Sequence, residues 1–291
     1  MRMRISTWAK PVLGAVVLMM TAAVLSVAPA SAAASCGATV YKSDGTPWTC
    51  TFADDFTGTS LDRTKWYVQK TATDGYTNGG ECYVDSSNNI GVSGGLLTLT
   101  MRKGSIAKTC TKPNGSSFKT KYTSGSVTTL DNFTQAYGRW EIRAQFQNTK
   151  VPGIQSSIWM WPQTQKYGPW PLSGEIDIAE WYSKYYDRVI PYLHYGWDFI
   201  DPNATSNTCL LAVGAWHTYV LEWTPSSITI SYDGKTCIRN TKWMGDSGTS
   251  APFDQPFMVA LTQILGSGNN APVWNTPKTS AMKVDYVKVW S

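Results

Sequence analysis

An all-β sandwich is the fold class this sequence predicts, and three observations carry it. Short segments alternate apolar with polar residues, and Gly, Pro and Asn turns separate them. Beyond the N-terminal region, no stretch of helical length keeps an apolar stripe at the helical period. Two antiparallel sheets, each burying one face against the other, accommodate this pattern.

The strands read in order along the chain. Leu96-Leu97-Thr98-Leu99-Thr100-Met101 alternates at a period of two. Tyr219-Val220-Leu221-Glu222-Trp223 is rich in strand-forming residues. Ile228-Thr229-Ile230-Ser231-Tyr232 runs into Asp233-Gly234, a strong signal for a two-residue hairpin. Lys283-Val284-Asp285-Tyr286-Val287-Lys288-Val289-Trp290 supplies another strand near the C-terminus. No repeat or low-complexity linker interrupts the chain, so one domain over residues 33–291 is expected.

Residues 1–32 read as a secretory signal peptide. Arg2, Arg4 and Lys10 precede an apolar run from Pro11 to Val27, and Ala30-Ser31-Ala32 supplies the cleavage site. The run is short for a membrane-spanning helix, so a membrane partner is not expected. Without those three cations the count changes from 25 − 20 = +5 to 22 − 20 = +2. No basic stripe remains, which argues against nucleic acid. A secreted, extracellular monomer is the expectation. In an oxidising compartment the six cysteines read as three disulfides. Of the fifteen pairings, the local set Cys36–Cys50, Cys82–Cys110 and Cys209–Cys237 is the preferred reading, each bridge worth roughly 3 kcal/mol.

Composition excludes several functions. Aromatic residues make up 13% of the chain and charged residues 15%, the reverse of a disordered or coiled-coil balance. Two histidines leave little for imidazole-rich metal sites, and no HExxH, CxxC or GxxxxGK[ST] string is present.

The densest chemistry lies in Ser173-Gly174-Glu175-Ile176-Asp177-Ile178-Ala179-Glu180-Trp181. In a regular strand Glu175 and Asp177 share a face and Glu180 points away. One extra residue, a β-bulge near Ile178-Ala179, returns Glu180 to their side. Three carboxyl groups then line one face, with the outer two roughly 13 Å apart at Cα. Two long Glu side chains leaning together suit a retaining glycosidase, whose carboxyl groups lie about 5–5.5 Å apart. Asp177 between them would hold a proton or hydrogen bond and separate their pKa values. An exposed acidic strand or a calcium site is the alternative that spacing alone leaves open.

Glu175-x-Asp177-x-x-Glu180, with Trp170-Pro171 and Gly174 before it, closely resembles the signature of glycoside hydrolase family 16, in its laminarinase-like branch. Other segments follow in family order. They are Asp54-Asp55-Phe56, Leu61-Asp62 with Lys65-Trp66, and Tyr137-Gly138-Arg139-Trp140-Glu141-Ile142-Arg143-Ala144. Ile158-Trp159-Met160-Trp161-Pro162, His194-Tyr195-Gly196, Trp216-His217-Thr218-Tyr219 and Val284-Asp285-Tyr286-Val287 complete the series. The resemblance covers roughly residues 50–290.

What it implies is a two-sheet antiparallel β-jelly-roll with a substrate cleft across its concave sheet. Glu175 would be the nucleophile, Glu180 the acid/base, and Asp177 the residue tuning both. Trp170 and Trp159 match sugar-contacting rings, and His194 matches a histidine near the acid/base residue. Asp285 matches a carboxylate of a structural calcium site that some members carry; the reaction itself needs no cofactor. His217 reads as structural.

Two departures bear on substrate. Ser124-Gly125-Ser126-Val127 lacks an Arg that many members place in the cleft. Leu261-Thr262-Gln263-Ile264-Leu265-Gly266-Ser267 replaces a common laminarinase string, leaving Gln263 as the amide expected to meet the sugar. The implied activity is endo-hydrolysis of a polysaccharide, a β-1,3-glucan first, with mixed-linkage glucan or galactan as alternatives. A lectin-like sandwich would be expected to lack a catalytic Glu. A serine hydrolase is suggested only by Gly245-Asp246-Ser247-Gly248, without a matching His segment.

Overall fold

A computed structural model describes residues 35–243 and 249–291. Residues 1–32, expected to be a signal peptide, and Gly245-Asp246-Ser247-Gly248 lie outside the described residues. The N-terminal part of the chain supplies β1 (Cys50–Asp54), β2 (Tyr67–Val68), β3 (Cys82–Tyr83), β4 (Ile90–Ser93) and β5 (Leu96–Thr111). Next come β6 (Ser117–Ser124), β7 (Ser126–Thr128), β8 (Gly138–Gln145), β9 (Ile154–Pro162), β10 (Glu175–Tyr182) and β11 (Ile190–His194). The rest are β12 (His217–Thr224), β13 (Ser227–Tyr232), β14 (Lys235–Asn240), β15 (Phe257–Leu265) and β16 (Thr279–Trp290).

Two sheets form. The larger runs β14-β13-β12-β8-β16-β5-β6-β3, with β1 beside β16 and β4 beside β5; the smaller runs β11-β10-β9-β15-β7-β2. Pairing is antiparallel except between β3 and β6, where two residues of each strand pair parallel. Asp233-Gly234 joins β13 to β14, and both residues have positive φ, as a two-residue hairpin loop demands. Among the described residues no helix is long and apolar enough to cross a membrane.

The core lies between the sheets and is unusually aromatic. Trp66, Trp140, Trp181 and Trp223 are fully buried, each contributing roughly 1.5–3 kcal/mol or more by leaving water. Trp223 on β12 meets Phe257 on β15 edge to face at 5.3 Å, so the contact spans the two sheets. Three disulfides join Cys36–Cys50, Cys82–Cys110 and Cys209–Cys237, the local pairing read from the sequence.

Candidate active site

The site is built on β10, and its start depends on a glycine. Gly174 has φ +81°, and a Cβ there would lie 3.0 Å from Phe253 and 3.2 Å from Phe257. Only glycine meets both demands without strain. Glu175 follows at once, opposite His194 on the edge strand β11.

The register on the other side of β10 shows how the carboxyl groups align. Asp177 pairs with Trp159 on β9 and Glu180 with Ser157, so three steps on β10 match two on β9. The shift falls between Asp177 and Ala179, where the sequence calls for a bulge. Ile178 and Ala179 are both fully buried, so the extra residue turns apolar atoms inward and returns Glu180 to the face of Glu175 and Asp177. Those three side chains line one cavity of about 490 Å³, with Tyr76, Asn78, Ser157, Trp159 and Trp161 among its walls.

Each carboxyl group has its own partners. The Trp170 indole N–H donates to Glu175 Oε2 at 2.6 Å. Glu180 accepts from Gln155 Nε2 at 3.0 Å, the Ser157 hydroxyl at 3.4 Å and the Tyr182 hydroxyl at 2.9 Å. His194 Nε2 lies 3.3 Å from Asp177 Oδ2, while its Nδ1 is held by Asp198 at 2.8 Å. The imidazole also stacks on Tyr192 at 3.9 Å.

Burial dominates the electrostatics. It pushes Glu175 up to about 8, and the neighbouring Asp177 charge adds to the rise. Asp177 is raised well above the carboxylate range by burial and by Glu180. Burial raises Glu180 too, against the pull of its three donors and His194. Three negative charges are not tolerated so close together in this dry setting, so the cluster retains protons at neutral pH. A proton on Asp177 removes one of the causes that raise Glu175, while burial, the larger cause, remains.

Comparison with known proteins gives the chain its family. The family description "Glycosyl hydrolases family 16" matches residues 64–288. The chain belongs to that family. Over 259 residues it is 29% identical to glucan endo-1,3-beta-glucosidase A1 of Niallia circulans, covering 81% of this chain and 37% of the relative. It is 26% identical over 267 residues to glucan endo-1,3-beta-glucosidase of Cryptopygus antarcticus, covering 84% and 92%. The solved laminarinase of Rhodothermus marinus superposes with TM-score 0.69 at 27% identity, covering 84% of this chain and 97% of that one. The chain thus spans little more than a third of the Niallia relative, and nearly all of the other two.

Within this family 16 fold, the remaining sequence-read residues fall in different places. Trp170 is half exposed beside Glu175, and Trp159 lines the cavity with its indole N–H held by Thr262. Tyr76 stacks on Trp159 at 6.2 Å. Gln263 requires a correction. Alternation along β15 sends Met258 and Ile264 to the cavity, and Gln263 to the layer between the sheets. There it is fully buried: its Oε1 accepts from Ser156, and its Nε2 donates to the Gln155 carbonyl and the Ser280 hydroxyl of β16. Its amide does not face a sugar.

Asp285 also differs from the calcium expectation. Its carboxylate accepts from Arg143 Nη1 at 2.6 Å, and that guanidinium lies over the Trp216 ring. A cation already neutralises it, and among the described residues it belongs to no cluster of three or more acidic, His or Cys ligands. As it stands, the side chain does not fit calcium. The one such cluster described, Glu175, Asp177 and His194 within 4.8 Å, is the carboxylate site itself. His217, on the larger sheet, is held by Asp233 and the Ala212 carbonyl, a structural arrangement.

Sequence reasoning missed Gln155, Ser157, Tyr182 and Asp198. The first three lie at alternate positions flanking residues already singled out, so alternation gives their face, and the pairing of β9 with β10 brings Gln155 and Ser157 to Glu180. Asp198 had only its four-residue offset from His194 as a signal.

Proposed function

We propose that the chain is a secreted endo-β-1,3-glucan hydrolase that retains anomeric configuration, with residues 33–291 as its catalytic domain. The observation supporting this most directly is the bulged register that brings Glu175, Asp177 and Glu180 to one cavity. Glu175 attacks the anomeric carbon while Glu180 protonates the departing oxygen. Glu180 then takes a proton from water, which opens the glycosyl-enzyme from the opposite face. Asp177 carries a proton between them, and His194, fixed by Asp198, holds the Asp177 carboxyl in place.

Donor count alone favours a charged Glu180 in the free protein, since three groups donate to it and one donates to Glu175. The assignment of roles follows the family order of the motif, and a substrate oxygen must displace part of that donor set. The curated relatives described above are glucan endo-1,3-beta-glucosidases, which supports β-1,3-glucan as the substrate.

Product mapping on laminarin, lichenan, agarose and β-1,3-galactan tests the substrate. Proton NMR of the first-formed anomer tests the stereochemistry. Internal cleavage of laminarin with the β-anomer appearing first is expected. Activity on a galactan alone overturns the substrate, and an initial α-anomer overturns the mechanism.

A further inference from the structure

We infer that Trp197 and Phe199 form a second glycan-binding platform, on the side of the carboxylates away from the Trp159 cavity. The inference rests on the glycan-hydrolase reading and extends it to residues outside that cavity. Across β10, the cavity side is β9, where Asp177 faces Trp159; the other side is β11, where Glu175 faces His194. Directly after His194 the chain presents Trp197 at 51% and Phe199 at 71% exposure, their rings 6.0 Å apart. Ile200 and Leu172 are exposed beside them in sequence or space, and Leu172 packs near Gly196. Asp198, between the two rings in sequence, bonds His194 Nδ1 at 2.8 Å, and the His194 ring lies 5.5 Å from Trp170 in the cleft.

Leaving two large rings in water is unfavourable unless something covers them, and a contiguous apolar patch beside a cleft marks a binding surface. The segment carrying them is fixed between the two rings and again just after Ile200. Asp198 holds His194 Nδ1 at 2.8 Å. Asp201 accepts from the Tyr195 hydroxyl, from Asn240 Nδ2 at 2.7 Å and from the Asn203 backbone N–H at 2.8 Å. A segment stapled by two carboxylates presents its rings with little entropy left to lose on binding. No charged side chain lies between Trp197 and Phe199 except Asp198, which is turned to His194. A neutral polysaccharide fits this surface: its sugars offer C–H faces to flat rings and need few polar partners. A chain lying in the Trp159 cavity and crossing Glu175 runs on to these rings; a short substrate ends before them.

Trp197→Ala/Phe199→Ala is the test, because both rings are exposed and neither touches the carboxylates. On laminarin, KM is expected to rise roughly tenfold, equivalent to about 1.4 kcal/mol. On an aryl laminaribioside, kcat/KM is expected to stay within a factor of two or so. Equal losses on both substrates, or none on laminarin, overturn the platform. A second readout does not depend on turnover: migration of Glu175→Gln through a native gel containing laminarin, with and without the two alanines. Retardation that the alanines abolish supports the platform; equal retardation, or none, overturns it. Failure of the unaltered protein to cleave any of the four polysaccharides overturns the hydrolase reading, whatever the gel shows. A patch that instead pairs two copies would appear as a concentration-dependent mass lost in the alanine variant, with laminarin behaviour unchanged.

Discussion

The Tyr232 hydroxyl donates to the Ile178 carbonyl at 2.9 Å, so a strand of the larger sheet satisfies the backbone at the bulge of the smaller one. Both residues are buried. A bulge takes its extra residue out of the regular ladder, and a buried carbonyl without a partner costs about 1–3 kcal/mol. Tyr232→Phe removes the donor and keeps the ring. The expected result is a melting temperature lower by several degrees, roughly 2–4 °C for each kcal/mol lost. A fall in kcat larger than the change in KM is expected with it, because Glu180 is oriented by that bulge. Calorimetry and steady-state kinetics check both, and an unchanged kcat would show that the bulge holds without its cap.

The two Glu variants should separate by leaving group. Glu175→Gln is expected to lose activity on every substrate by several orders of magnitude, since the covalent step disappears. Glu180→Gln should lose about 10²–10⁴-fold on glucan and much less on a dinitrophenyl glycoside, which departs without a proton. Rates on the two substrates, compared side by side, provide the check. The reverse pattern would exchange the two roles.

The pH profile should respond to the neighbours of Glu175 with opposite signs. Asp177 raises Glu175 whenever it is charged, so Asp177→Asn, which can never carry that charge, moves the acid limb of kcat/KM to lower pH. Trp170 lowers Glu175 by donating to its anion, so Trp170→Phe moves that limb to higher pH. Shifts in the same direction for both variants would mean that the limb belongs to another group.

Stability carries a related signature. Glu175 is raised from 4.5 to about 8, so the folded protein holds a proton that the unfolded chain has already released across that window. Stability therefore falls as pH rises through it. Glu175→Gln cannot ionise, and its melting temperature relative to the unaltered protein should climb between pH 5 and pH 8. A constant difference across that range would show that Glu175 titrates normally in the folded state.

How much of this was legible beforehand depends on the range of each interaction. The bulge near Ile178-Ala179 was readable because one strand must keep Glu175, Asp177 and Glu180 useful and Ile178 buried, a constraint internal to nine residues. The disulfide set was readable because each pair is local in the chain. Gln263 was misread because β15 is buried along its whole length and shows no apolar–polar alternation, so its sequence does not mark which set of alternate residues meets the cavity. Asp285 was read without its partner, since Arg143 lies 142 positions away in sequence.

By itself, then, the sequence determined the sandwich class and the acidic strand, because period-two alternation and turn chemistry act over a few residues. Only the tertiary structure decided what surrounds that strand. Tyr232 reaches the Ile178 carbonyl, Asp198 reaches His194 and Gln155 reaches Glu180 through sheet packing and loop return. Burial, which sets the charge of Glu175, Asp177 and Glu180, is likewise a property of both sheets together. A side chain's face follows from its own strand, whereas its partners and its proton depend on which distant strands arrive beside it.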